Sequence, residues 1–210
     1  MTATRPIVPS AADESAVNRI KAEHRALARV LGAMQALVAR YREPATSPDY
    51  ELFGSMLRYI ENVPDRLHHP KEDQVLFSAV ARRADRGKEL VRTLESEHAQ
   101  GAAMLSELRR AFNAFRDGGA NAINQLASAI DEFVEFYWSH MRKEEQLLLP
   151  LAAEVLTEED WQRIDSAFGD NADPLFGSEL AAEYRRLYER IAELSPSPLK
   201  SLFDDGTTAS

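Results

Sequence analysis

Four stretches of this chain place apolar side chains three and four residues apart over many turns, and that period constrains the fold more than any other feature. The first carries Val17, Ile20, Leu27, Leu31, Met34 and Val38, with His24 on the same stripe. The second runs through Phe53, Leu57, Ile60, Pro64, His68, Glu72, Val75 and Ala79. The third holds Val91, Leu94, His98, Gly101, Leu105, Leu108, Phe112 and Phe115, and the fourth Leu126, Ile130, Phe133, Tyr137, His140, Glu144, Leu147 and Leu151. Side chains at this spacing share one face of an α-helix, and an apolar face has to be covered. Four such helices joined by short turns cover one another most simply as an up-down-up-down bundle, so an all-α four-helix bundle is expected over residues 11–155.

The punctuation agrees. Ser10 with Asp13 opens a first helix over 11–42, and Ser47-Pro48 supplies a cap and first-turn pair for a second that runs to about residue 82. Pro64 and Pro70 interrupt that helix where its stripe takes consecutive four-residue steps, which predicts a local kink. Gly87 precedes the third helix, and Asp117-Gly118-Gly119 ends it. Thr157 to Asp160 opens a shorter helix, and another is expected from Pro174 to Leu194. Residues 156–194 are therefore read as a helical pair packed on the bundle, between a flexible arm at 1–10 and a tail at 195–210.

Composition removes several functions. The 210 residues hold 25 Lys and Arg against 34 Asp and Glu, a net charge of −9, which does not suit a nucleic-acid or anionic-membrane partner. There is no cysteine, so a metal would rest on nitrogen and oxygen donors. No apolar run reaches the roughly 20 residues that span a bilayer, and the first ten residues lack a secretory hydrophobic stretch. A cytoplasmic location is expected.

The informative residues are the polar ones inside the stripes: His24, His68, Glu72, His98, His140 and Glu144. A buried carboxylate costs several kcal/mol unless a cation compensates it, and no Lys or Arg shares these stripes. Counting from the turns puts all four histidines on one layer, roughly 20 Å from one end of the bundle. Each Glu lies four residues after its His and projects from the same face. The arrangement is duplicated: AEHRALARVLGAM parallels SEHAQGAAMLSEL, and HHPKEDQVLF parallels HMRKEEQLLL, so that Glu144 follows Glu72 by 72 residues. Two His pairs with two carboxylates between them suit two metal ions bridged by Glu oxygens. Imidazole and carboxylate without sulfur suit iron, manganese or zinc.

On these residues the chain resembles the hemerythrin-like HHE cation-binding domain family over approximately 14–155. The resemblance rests on His24, on His68 and Glu72 in HHPKEDQVLF, on His98, and on His140 and Glu144 in HMRKEEQLLLP. It implies an antiparallel bundle around two iron ions with an oxo or hydroxo bridge, the glutamates bridging and the histidines capping. Oxygen-carrying members have a further histidine one turn from the helix-three ligand; here those positions are Leu94 and Ala102, and the resemblance offers His69 instead. On an ideal helix His69 faces about 100° away from His68, so a place at the surface or behind the ligands competes with ligation. The family's nitrosative-stress repair members carry a cysteine that this chain lacks.

Several neighbours complete the reading. Asp73 and Glu145 each follow a bridging candidate and are expected either on solvated faces or as acceptors for ligand N–H groups. Tyr137 and Phe133 are packing positions, with the Tyr137 hydroxyl also able to hydrogen-bond a metal-bound ligand. Glu95 and His98 form the ExxH of ferritin-like bundles, but its partner position is Lys21. Trp138 is placed toward the C-terminal helices. The function expected is a di-iron protein that binds or senses a small ligand, dioxygen, nitric oxide or peroxide, in a redox or stress response. The alternatives are an enzyme that turns over peroxide or nitric oxide, an iron storage or donation protein, and a bundle that serves only as an interaction module.

Overall fold

In the first stretch the period holds for its whole length. Helix α1 (Ala11–Tyr41) buries Ile20, His24, Leu27, Leu31, Met34 and Val38 along one face. The computed structural model describes residues 11–43, 46–119, 121–169 and 178–195, and the side chains of 178–184 are outside that description. The expected start at Ser10, the arm at 1–10, the stretch at 174–177 and most of the tail lie outside the described residues.

Helix α2 (Tyr50–Asn62) begins later than Ser47-Pro48 implies. Its cap is Asp49, whose side chain accepts from the Leu52 N–H at 2.9 Å. A capping oxygen must come from the residue directly before the first turn, and Ser47 and Pro48 stand too early to supply it. The helical path then continues to residue 83 but widens twice. A π-helical turn spans Pro64–His68, where the His68 N–H reaches back five residues to the Val63 carbonyl at 3.0 Å. After a short α3 (His69–Lys71), a second π segment spans Glu72–Phe77 and leads into α4 (Ser78–Arg83). The expected kink is thus a pair of π turns.

Helix α5 (Lys88–Arg116) ends at Gly118, whose φ of 77° is a left-handed conformation that glycine takes without strain. Helix α6 (Ala122–Lys143) runs into a third π segment, Glu144–Leu148, and then α7 (Leu149–Val155). A π turn holds one more residue than an α turn, so it shifts the phase of everything after it. Leu147, on the stripe of an unbroken helix, is 54% exposed, and Leu148 is buried in its place. Val75 is likewise only partly buried while Leu76 is fully buried.

Helix α8 (Glu158–Gly169) opens on a capping box: the Thr157 N–H donates to Asp160 Oδ2 at 3.1 Å, and the Asp160 N–H to Thr157 Oγ1 at 3.3 Å. Arg83 fastens the same Asp160 carboxylate at 2.8 Å. Helix α9 (Ser178–Leu194) follows.

Among the described residues the regular structure is helical, with no strand. The helices pack side by side as a bundle: α5 on α6, α6 on α1, α1 on α2, and α2 on α5. Helix α8 lies on α1, and α9 on α2. The apolar side chains form two clusters. One contains Met34, Ile60, Leu105 and Tyr137; the other contains Ile20, Leu76, Leu94 and Leu148. On every strut of the bundle the interrupting His and Glu residues fall between these two clusters, as a polar layer sandwiched by apolar ones. No described helix is long and apolar enough to cross a membrane.

Candidate metal centre

The polar layer brings together every residue that broke the stripes. His24, His68, Glu72 and Glu144 each offer one donor atom to a group whose atoms lie within 4.8 Å of one another. His69, Glu72, His98 and His140 form a second such group; Glu72 belongs to both, and all seven residues are buried. His69 therefore points inward.

Each imidazole is oriented from behind. His24 Nδ1 donates to Glu145 at 2.9 Å, His68 Nδ1 to Glu23 at 2.6 Å, His98 Nδ1 to Asp73 at 2.8 Å and His140 Nδ1 to Glu97 at 3.0 Å. An ionised carboxylate only accepts, so each Nδ1 keeps its proton and each Nε2 turns inward as a donor atom. The four bonds close a ring around the bundle: α1 holds the histidine of the 64–68 turn, the 72–77 segment holds that of α5, α5 holds that of α6, and the 144–148 segment holds that of α1. Asp73 and Glu145 were legible from the sequence as the residues following the bridging candidates. Glu23 and Glu97 were not singled out, although each directly precedes a stripe histidine in the duplicated segments. Glu95 is exposed and takes no part.

The inward nitrogens meet in pairs. His24 Nε2 lies 3.1 Å from His68 Nε2, and His98 Nε2 lies 3.1 Å from His140 Nε2. Glu72 spans both groups, with Oε1 3.2 Å from His68 and Oε2 3.6 Å from His98. Glu144 does the same, with Oε2 3.2 Å from His24 and Oε1 3.1 Å from His140. These are ion-pair separations without hydrogen-bond geometry: all four carboxylate oxygens are buried and none has a hydrogen-bond partner. Buried carboxylates in that condition are costly.

Protonated imidazoles are one way to offset that charge. Burial opposes the charge on His24, but the Glu144 and Glu145 carboxylates beside it overcome this and raise it to about 9. His98 likewise rises to about 9 against burial, through Asp73 and Glu144. Yet two imidazoliums facing across 3.1 Å would set N–H against N–H. Two nitrogens each about 2.1 Å from one cation, roughly at right angles, are about 3 Å apart, so the same spacing suits a shared metal ion. His69 is held well below its ordinary value by burial and by the charges of His98, His68 and His140, and so presents the neutral imidazole that a metal takes. The donor set fits two cations with Glu72 and Glu144 between them.

A family model agrees on independent grounds: the hemerythrin HHE cation-binding domain matches residues 15–152. The chain belongs to the hemerythrin HHE family. A comparison with curated proteins finds no match. The hemerythrin match stops short of α8, whose Phe168 ring nonetheless stands edge-on to His68 with centroids 5.9 Å apart and 5.7 Å from Lys71 Nζ. The C-terminal segment thus borders the centre, where the sequence showed no chemistry in it. Trp138, expected toward the C-terminal helices, is 44% exposed on the wall of a cavity beside His24 and Arg25, whose lining among the described residues includes nothing from α8 or α9. It follows Tyr137, which owns the inward position, and so turns toward α1.

Tyr137 packs in the layer itself. Gly101 makes room for it, since a Cβ there would stand 3.1 Å from the Tyr137 hydroxyl. That hydroxyl donates to Asp65 Oδ1 at 3.3 Å. Burial pushes the Asp65 carboxyl up to about 6.

Proposed function

We propose that this hemerythrin-family chain holds two iron ions and uses them to bind or sense a small ligand, dioxygen, nitric oxide or peroxide, in a redox or stress response. The observation that carries the reading is the set of four orphaned carboxylate oxygens on Glu72 and Glu144, enclosed by inward-facing histidine nitrogens. In this reading His24 and His68 hold one ion, His69, His98 and His140 hold the other, and the two glutamates lie between them. Zinc or manganese suits the same donors, and affinity order does not select iron. The unequal count, two imidazoles against three, would leave the His24 and His68 side with fewer protein donors for an ion held there. The four-helix part is read as an up-down-up-down bundle, and the protein as cytoplasmic.

When bound, iron supplies a change of valence and a Lewis-acidic position for a small ligand. The chain supplies the rest. The carboxylate ring fixes the angle and tautomer of four imidazoles, and its charge makes them stronger donors. The apolar clusters on either side keep bulk water from the layer. The Tyr137 hydroxyl and the Asp65 carboxyl form a short polar pair at the His69 edge that can hold a proton there.

The test is metal content together with ligand response. Purified without added metal salts, the chain is expected to carry iron, and His68→Ala and Glu144→Ala to lose most of it while remaining helical. Anaerobic reduction followed by dioxygen or nitric oxide should change the visible and near-ultraviolet spectrum of the parent protein only. Full metal content in both variants would overturn the site, and a spectrum indifferent to both gases would overturn the sensing role.

A further inference from the structure

A cavity of about 300 Å³ opens between α1 and α6 on the outer side of His24. Its size is at the small end of ligand pockets. Two arginines line it, Arg25 and Arg142, both exposed. Most other arginines of the chain are engaged with a carboxylate or another acceptor, as Arg83 is with Asp160 and Arg109 with Glu61. Neither Arg25 nor Arg142 takes part in a hydrogen bond or close ion pair among the described residues, although the Arg25 charge helps hold the Glu145 carboxyl below its usual range. The carboxylate in the wall, Glu145, is committed to His24 Nδ1 at 2.9 Å. Trp138, 44% exposed, and Met141 line the same cavity.

A large indole left open to water beside two cations that lack a hydrogen-bonded carboxylate is chemistry for an amphipathic anion. A carboxylate satisfies guanidiniums through paired hydrogen bonds, and an aromatic ring covers indole and thioether surface. We infer that this cavity binds a small aromatic carboxylate, its anionic end held by Arg25 and Arg142 and its ring laid on Trp138. The site goes beyond the proposed di-iron function: it requires no ligand on the metal, and its occupant rests against the outer edge of the Glu145–His24 pair. An anion without a ring leaves the indole bare, and a ring without charge leaves the guanidiniums unpaired. Both parts are needed.

The experiment uses the full chain as purified, with benzoate as probe and acetate and benzyl alcohol as controls. The chain has two tryptophans, so two indole N–H signals report the titration: Trp138 at the cavity and Trp161, buried, as internal reference. Benzoate is expected to shift the Trp138 signal saturably and leave Trp161 in place, with acetate and benzyl alcohol at least about tenfold weaker. Arg25→Gln with Arg142→Gln should weaken benzoate at least about tenfold, and Trp138→Ala should weaken it in calorimetry. All three positions are exposed, and an unchanged Trp161 signal in the arginine variant reports an intact fold. Absence of saturable binding, equal binding of acetate, or undiminished binding in the double arginine variant would overturn the site.

Discussion

At the scale of single residues, the centre depends on side chains that touch no metal donor position. Glu97 is the clearest case: it accepts from His140 Nδ1 and is itself held by Lys143, so its carboxylate is fixed at both ends. Removing such a partner lowers metal affinity about 10–100-fold in related arrangements. Glu97→Gln is expected to do so here, read by competition with a chelator of known strength. Glu95→Gln, exposed and two residues away, should leave affinity unchanged; equal losses in the two would contradict the ring. The duplicated EH pairs, Glu23-His24 and Glu97-His98, were in plain view in the sequence, but nothing in one chain says that a residue before a ligand reaches across to the next helix. The residues after the bridging glutamates were easier to read, because polar residues bordering a buried donor are natural acceptors for it.

The same carboxylates set a pH response in the metal-free protein. His24 and His98 rise from 6.5 to about 9 on folding. A raised imidazole value stabilises the fold fully below 6.5, and that contribution is lost as pH rises through about 9. His69, held below 6.5, works in the opposite direction and costs stability as pH falls beneath that value. The urea midpoint of the metal-free chain is therefore expected to fall between pH 6.5 and 9.5. A midpoint that stays level or climbs over that range would contradict the assignment.

At the scale of elements, the π turns decide what faces inward. The stripes predicted each helix and most of its buried face, since a 3.6-residue period is visible wherever the helix is regular. They failed where the helix is not. Beyond Glu144 the sequence alone selects Leu147, and the structure selects Leu148. The extra residue of a π turn leaves no mark in composition, and only the pair of turns in the second stretch announced itself, through Pro64 and Pro70, which have no N–H to give. Leu148→Ala is expected to cost about 2–5 kcal/mol, whereas Leu147→Ser should stay within about 0.5 kcal/mol. Urea unfolding of the two variants decides between the phases, and a larger loss at Leu147 would restore the unbroken helix.

At the scale of the whole molecule, the polar layer divides the apolar interior in two. Above it the cluster around Met34, Phe53 and Phe133 also takes in Ile191 of α9; below it the cluster around Ile20 and Phe77 takes in Trp161, Ile164 and Phe168 of α8. The C-terminal helices thus complete both halves of the interior; the sequence implied that they pack on the bundle without saying which surface each would meet. The helical class and the layer of donors were readable because burial, period and charge compensation all act locally along the chain. The cross-bundle bonds and the α1–α6 cavity were not, because they depend on how neighbouring helices are rotated against each other.

The central claim is that two cations lie in this layer. It is tested most directly by anomalous diffraction from crystals of the iron-loaded chain, collected on both sides of the iron absorption edge. Two anomalous peaks should flank the Glu72 and Glu144 carboxylates, one beside His24 and His68 and the other beside His69, His98 and His140. A layer without anomalous density, or peaks lying only outside it, would contradict the account.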